Sequence, residues 1–279
     1  MGWFTSLGGS VYSGGDVDMV LSSSTEYGGF DTNEPYMTDS FAFSPAEIEV
    51  NSVSGGEVIS SKGYARNIGI PFDFVYGSSS SVGAVDLEEI SSLASLDPST
   101  LYKMSVDDMN DILKSGDIDY SSAIDSDGVV VIYLEGSEDL VFMNNFKTSN
   151  ANKKLLLVST ADVWFSPNVG TVGPLTGSPS DAHINVSIVT SGDIYFPTGI
   201  ASDNDDPAAD DGTLVLHGSL FAAGNIDFSR DRGLQNTYPS VAVHFDPSYM
   251  LMLQNQLNGS ADFQRQFFSL VSISWDLGD

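Results

Sequence analysis

Cysteine is absent from this chain of 279 residues, which excludes disulfide staples, thiol nucleophiles and Cys-ligated metals together. Histidine is nearly as scarce. With only His183, His217 and His244, each standing singly in or beside an apolar run, a zinc site is not expected and a structural role is. Basic residues number 10 against 38 acidic ones, giving a net charge of −28 and a pI near 4.1. Such a surface repels polyanions, so neither nucleic acid nor an anionic lipid face is expected as a partner. No run of eighteen apolar residues occurs, so direct membrane insertion is not expected either. The opening residues, Met1 to Ser6, carry neither a basic nor an apolar leader region, and any export signal is expected to lie outside this sequence. P-loop, nucleophile-elbow and dinucleotide-binding motifs are also missing.

What remains is a chain that folds: 41% of residues are apolar and mean hydropathy is −0.01, too hydrophobic for a disordered acidic tail. Its 27 Gly, abundant Ser, Thr, Asn and Asp and few Lys suit a secreted surface protein. The sequons at Asn185 and Asn258 read as chance occurrences.

Residues 1–85 form a β-rich part of short runs such as Glu47-Ile48-Glu49-Val50, punctuated by Gly and Ser. In residues 86–127 the period changes to three and four, with Leu87, Ile90, Leu93 and then Leu101, Met104, Met109, Ile112, Leu113. Asp97-Pro98 reads as a helix start, Ser105 with Asp108 as a capping box and Gly116 as a stop, predicting a helical insert of two or three short helices over the end or flank of the β structure.

Residues 128–279 contain a repeat. Four segments share Asp or Asn, an aliphatic residue, any residue and Phe: they begin at Asp139, Asp162, Asp193 and Asn225. Their aliphatic members, at 140, 163, 194 and 226, recur after 23, 31 and 32 residues, and each segment follows a second apolar run at nearly constant offset. Gly15-Asp16-Val17-Asp18-Met19 is an imperfect fifth copy, which points to the amino-terminal part belonging to the same solid. Two-strand units this small bury their apolar faces only by stacking. The expectation is a mainly β fold, a parallel β-solenoid (β-helix) closed by further strands, with a β-sandwich as the alternative. Aliphatic and Phe residues then point inward, and Trp164, Tyr195 and Asp227 outward. The corner Asp and Asn residues make a polar turn ladder, the reading preferred to a row of calcium ligands.

Between units lies an oxygen-rich loop with Asp203, Asp205, Asp206, Asp210 and Asp211. It departs from the EF-hand spacing at Pro207 and reads as a solvated acidic loop, with calcium, the one cofactor in view, as the alternative. No catalytic constellation emerges. Lys153-Lys154 flanks a strand start, and Arg230, next to Asp231, is expected to pair with a carboxylate or to cap strand carbonyls, a structural role. Tyr12, Tyr64, Trp164 and Tyr195 are the aromatics that could stack on sugars if they line up.

The stretch from Gly218-Ser219 through Ala222, Gly224 and Arg230-Asp231, then Val243-His244-Phe245-Asp246-Pro247-Ser248-Tyr249, then Trp275, resembles the closing segment of solenoid domains in large exported surface proteins of uncultured small bacteria, related in architecture to bactofilin-like solenoids. Trp3, Gly9 to Tyr12 and Ser60 to Tyr64 resemble that group's opening strands. The helical insert and the ending at Asp276 to Asp279 depart from the pattern. The resemblance implies a non-enzymatic extracellular module, structural or adhesive, that contacts itself or other surface proteins, with Trp3–Val20 and Phe263–Trp275 as caps or assembly contacts. The rival is a carbohydrate-binding or carbohydrate-cleaving β-helix with glycan as partner, and a trimeric fibre domain is a third reading.

Overall fold

The computed structural model describes residues 87–170, 182–199, 211–222, 224–230, 240–244, 246, 248–261, 263–264 and 267, together with short strands at 4–7, 11–13, 17–19, 42–43, 48–50, 73–74 and 273–274. The fold is a parallel β-solenoid of about four turns, and each full turn contributes a strand or a single bridge to each of three faces.

The long face stacks strands 42–43, 11–13, 220–222, 187–190, 153–159, 128–135, 101–105 and 88–89 in that order. The Phe face stacks 140–142, 163–165, 194–195, 226–228, 17–19 and 48–50. On the third face, 118–119 pairs with 146–147, single bridges continue through Ile184 to Leu216, and 214–217 is followed by 241–244 and 4–7. Every described ladder is parallel except the short pair of 73–74 with 273–274.

Register follows composition. Tyr102, Ile132, Leu157, Ile188 and Leu220 form one inward column on the long face. Leu140, Val163, Ile194 and Ile226 form the matching one on the Phe face, and Val17 continues its register. Beside it Phe142, Phe165, Phe196 and Phe228 stack with centroids 5.0, 4.7 and 4.9 Å apart. Those separations match the spacing of about 4.8 Å between neighbouring strands, so the rings pile up without distorting the ladder. A one-residue slip would turn every one of these side chains to the outside.

The region expected to be helical is mostly the first turn of the solenoid. Leu101–Ser105 is a strand paired with 128–135, and Val106–Lys114 is the one α-helix there, followed by a single 3-10 turn at Tyr120–Ser122. Asp97 opens a turn: its Oδ1 accepts the N–H and hydroxyl of Ser99, both at 2.8 Å. The helix does start where the capping box places it, with Ser105 Oγ accepting the Asp108 N–H at 3.0 Å and donating to its carboxylate at 2.6 Å. It takes the place of a Phe-face strand in that turn and packs on strand 140–142, burying Val106, Met109 and Leu113. Asn110 finishes the edge. Its Nδ2 donates to the Asp139 carbonyl and its Oδ1 accepts the Val141 N–H, at 2.8 and 2.9 Å, replacing the bonds a further strand would make.

A second correction falls after residue 244: where only closing strands were expected, a helix comes first and strand 273–274 follows it. Ser248–Gly259 is a helix, and Asp246 opens it, its Oδ1 accepting the N–H of Ser248 at 2.9 Å and its hydroxyl at 2.5 Å. This helix and Phe263 and Phe267 beyond it cover the outer side of the long face, burying Tyr249 and Leu253 against Leu101, Val129, Val131, Tyr133, Leu156 and Val158. Val129 lies past the start of strand 101–105, and the Gln256 amide satisfies it there, accepting its N–H at 2.8 Å and donating to its carbonyl at 3.0 Å.

Candidate functional site

Three places concentrate chemistry: the outer side of the Phe face and the two corners that hold buried cations.

On the Phe face the residue between the inward pair points out, giving the half-buried column Val141, Trp164, Tyr195 and Asp227. The rings of Trp164 and Tyr195 stack on one another with centroids 4.2 Å apart and planes 23° from parallel. Tyr195 donates to Asp193 Oδ2 at 2.7 Å, and that bond, with burial and the neighbouring carboxylates, pushes its hydroxyl up to about 12. Trp164 Nε1 is buried without a hydrogen-bond partner.

The corner leading into this face is a polar ladder in its later turns. Asp162 Oδ1 accepts the Asp193 N–H at 2.8 Å, and Asp193 Oδ1 accepts the Asn225 N–H at 2.6 Å. Each rung requires glycine before the residue that donates its N–H. A Cβ on Gly192 would collide with Asp162 Oδ1, and one on Gly224 with Asp193 Oδ1. Asp139 is exposed at the first of these corners, where Ala161 precedes Asp162.

Arg230 is 1% exposed. Its guanidinium donates to five main-chain carbonyls: Nε to Gly212, Nη1 to Ser166, and Nη2 to Pro167, Val169 and Asp211. These carbonyls lie on the turns that follow strand 163–165 and precede strand 214–217, so one side chain ties three successive turns of the solenoid. Of the five acidic residues considered for calcium, Asp211 is described: it accepts the Thr198 hydroxyl and the Gly199 N–H. Asp203, Asp205, Asp206, Asp210 and Asp231 lie outside the described residues. Among the described residues no three His, Asp or Glu side chains gather as a metal would need.

Lys154 is the second buried cation, 2% exposed. It forms an ion pair with Asp246 at the mouth of the carboxy-terminal helix and lies 4.6 Å from the Tyr249 ring centre. His217 Nδ1 stands 3.9 Å from the same carboxylate. Burial lowers the His217 pKa, Lys154 and His244 add to that, and Asp246 opposes it. Burial would raise the Asp246 carboxyl, but the bonds from Lys154 and Ser248 outweigh it and hold it below the usual range. A lysine so enclosed and paired offers no free amine for chemistry. Nearby, Tyr249 donates to Asn185 Oδ1 at 3.3 Å, Tyr120 donates to the Asn185 carbonyl, and His183 Nδ1 accepts the Val215 N–H at 3.0 Å.

A cavity of about 250 Å³ at the first turn is lined by Glu89, Lys103, Met104, Asp108 and Glu135, and its one cation is already paired with Glu135 at 3.4 Å. Sequence reasoning did not find Asn110, Gln256 or the Lys154–Asp246 pair as structural centres. The signal for the last was Asp246-Pro247-Ser248, a helix-start pattern lying after the apolar run Val241 to Phe245.

No protein-family description, curated protein or solved structure matches this chain.

Proposed function

We propose that the chain is a non-enzymatic structural module of an extracellular surface, a rigid acidic element of a filament, stalk or envelope layer that associates with copies of itself or with other surface proteins. The observation that supports this is the continuous apolar column, locked turn to turn by Asn110, the corner ladder and Arg230. Such a body is stiff along its axis, and its growth direction ends in strand edges that favour further pairing. Arg230 and Lys154, two of the basic residues a catalyst could use, are enclosed and engaged with carbonyls or a carboxylate. Electron microscopy of the purified full chain is expected to reveal elongated, end-to-end assemblies, and single monodisperse particles at all concentrations overturn the reading.

Glycan binding is the second reading, favoured by the Trp164–Tyr195 pair on the outer Phe face. Their ring faces are turned to each other, which leaves mainly edges for a sugar, so the structural reading is preferred. Quenching of Trp fluorescence by an oligosaccharide, lost in Trp164→Ala, would reverse that preference. We read the acidic sequence from Asp203 to Asp211 as binding no calcium; a melting temperature that rises with calcium and returns with chelator overturns that reading.

A further inference from the structure

The forward path of the chain builds its last turn with strands 220–222, 226–228 and 241–244, and then leaves the column at Asp246 for the outer helix. The next turn on that end comes from the beginning of the chain. Strands 11–13, 17–19 and 4–7 lie against those three strands, all in parallel. Segment Phe4–Met19 is thus one whole turn, running third face, long face, Phe face in the order the rest of the solenoid uses. Val17, Asp18 and Met19 meet Ile226, Asp227 and Phe228, and in the sequence Gly15-Asp16 precedes Val17 as Gly224-Asn225 precedes Ile226.

We propose that Phe4–Met19 is an exchangeable turn, and that the 220–244 end of one copy accepts this segment from a second copy of the chain, joining copies head to tail. The proposal rests on the reading of the chain as a self-associating module and names its partner and its contact. An end made of three parallel strand edges presents the main-chain donors and acceptors that strand addition uses. The segment that fills it is not the sequence neighbour of that end. Strands 42–43 and 48–50 stack on its far side and travel with it. Residues 51–72 then lead to strand 73–74, which pairs with 273–274, and the chain continues from there to the opposite end of the column. Fully extended, the stretch 51–72 alone reaches roughly 75 Å, whereas eight strands of the long face span only about 35 Å. The same connection therefore serves a segment docked on its own column or on the next. When each copy gives its segment to the next and does not take one back from the same partner, the exchange builds an open filament.

The absence of native cysteine makes the test direct. Asp18 and Asp227 are register partners, a separation that a disulfide spans. Full-length Asp18→Cys and Asp227→Cys chains are mixed, oxidised and run without reductant. The expected result is a mixed disulfide dimer that grows with concentration, disappears on reduction and is missing when Asp18→Cys is mixed with Lys147→Cys. Assemblies that persist in the microscope without the mixed link overturn the exchange and leave the module reading standing. Monomers throughout, with a link forming only inside the doubly substituted chain, overturn both.

Discussion

Arg230 and Lys154 are both cations shut away from water in a chain of net charge −28, and they are held in opposite ways. Arg230 has a planar fork of five donors, and it stands where turns leave the column and expose carbonyls that no strand claims. These five carbonyls are dipoles that do not titrate. Lys154 is a point charge with one carboxylate, and that carboxylate also opens the carboxy-terminal helix. The first cation fastens the column to itself; the second fastens the column to its cover. The difference teaches that two equally buried charges can have different pH dependence and different structural reach.

The sharpest test of the first cation is removal. Arg230→Ala leaves five carbonyls to find other partners and is expected to cost about 4 kcal/mol, larger than most single substitutions. For a domain this size that corresponds to a fall of roughly 10 °C in the calorimetric melting temperature. Arg230→Lys is expected to recover little, because an ammonium has three donors and no fork. A variant that melts like the parent would remove Arg230 from the comparison.

The second cation breaks differently. Asp246→Asn leaves Lys154 buried without its countercharge and is expected to cost about 3 kcal/mol. Adding Lys154→Met should recover most of that, since an apolar chain of similar length fills the same space. Hydrogen exchange should quicken first in residues 248–259 and in the strands they cover. If Asp246→Asn instead loosens the Phe ladder as much as the helix, the division between column and cover fails.

The column is legible in the sequence because its rule is local and repeated. Inward aliphatic and Phe residues at fixed offsets leave one register, and Val17 meeting Ile226 extends it to the faint copy near the amino terminus. The cover is hidden for a related reason. Asp97-Pro98-Ser99 and Asp246-Pro247-Ser248 make the same local bonds, Asp Oδ1 accepting the Ser N–H and hydroxyl, yet the first leads to a strand and the second to a helix. The residues downstream of each turn decide between them. Leu101 to Ser105 can join a parallel neighbour at 128–135, whereas the run after Asp246 places Tyr249, Leu253 and Gln256 on one side of a helix that lies against the long face. Lys154 is lost with that helix, because its alternation on strand 153–159 points it outward, and only the cover makes outward a buried position. For Arg230 the alternatives of carboxylate and carbonyl could be written from sequence, but the number of turns it joins depends on loops whose path no periodicity records.

The smallest expected effect is the one that separates the two cations most cleanly. The folded state lowers the His217 pKa, so below its ordinary value of 6.5 the unfolded chain takes up the proton first and stability falls as pH drops through that value. Asp246 has a different window. Its carboxyl is held below the usual range, so it stays ionised between pH 7 and pH 5 and its contribution is lost only under strongly acid conditions. Melting temperatures measured between pH 7 and pH 5 should therefore decline modestly in the parent chain and less in His217→Gln. Removing the opposing carboxylate, in Asp246→Asn, should steepen the decline, and Lys154→Met should flatten it. Arg230→Ala should shift the whole curve downward with its slope unchanged, because the five carbonyls it holds do not titrate; a changed slope would show that a titrating group also depends on Arg230.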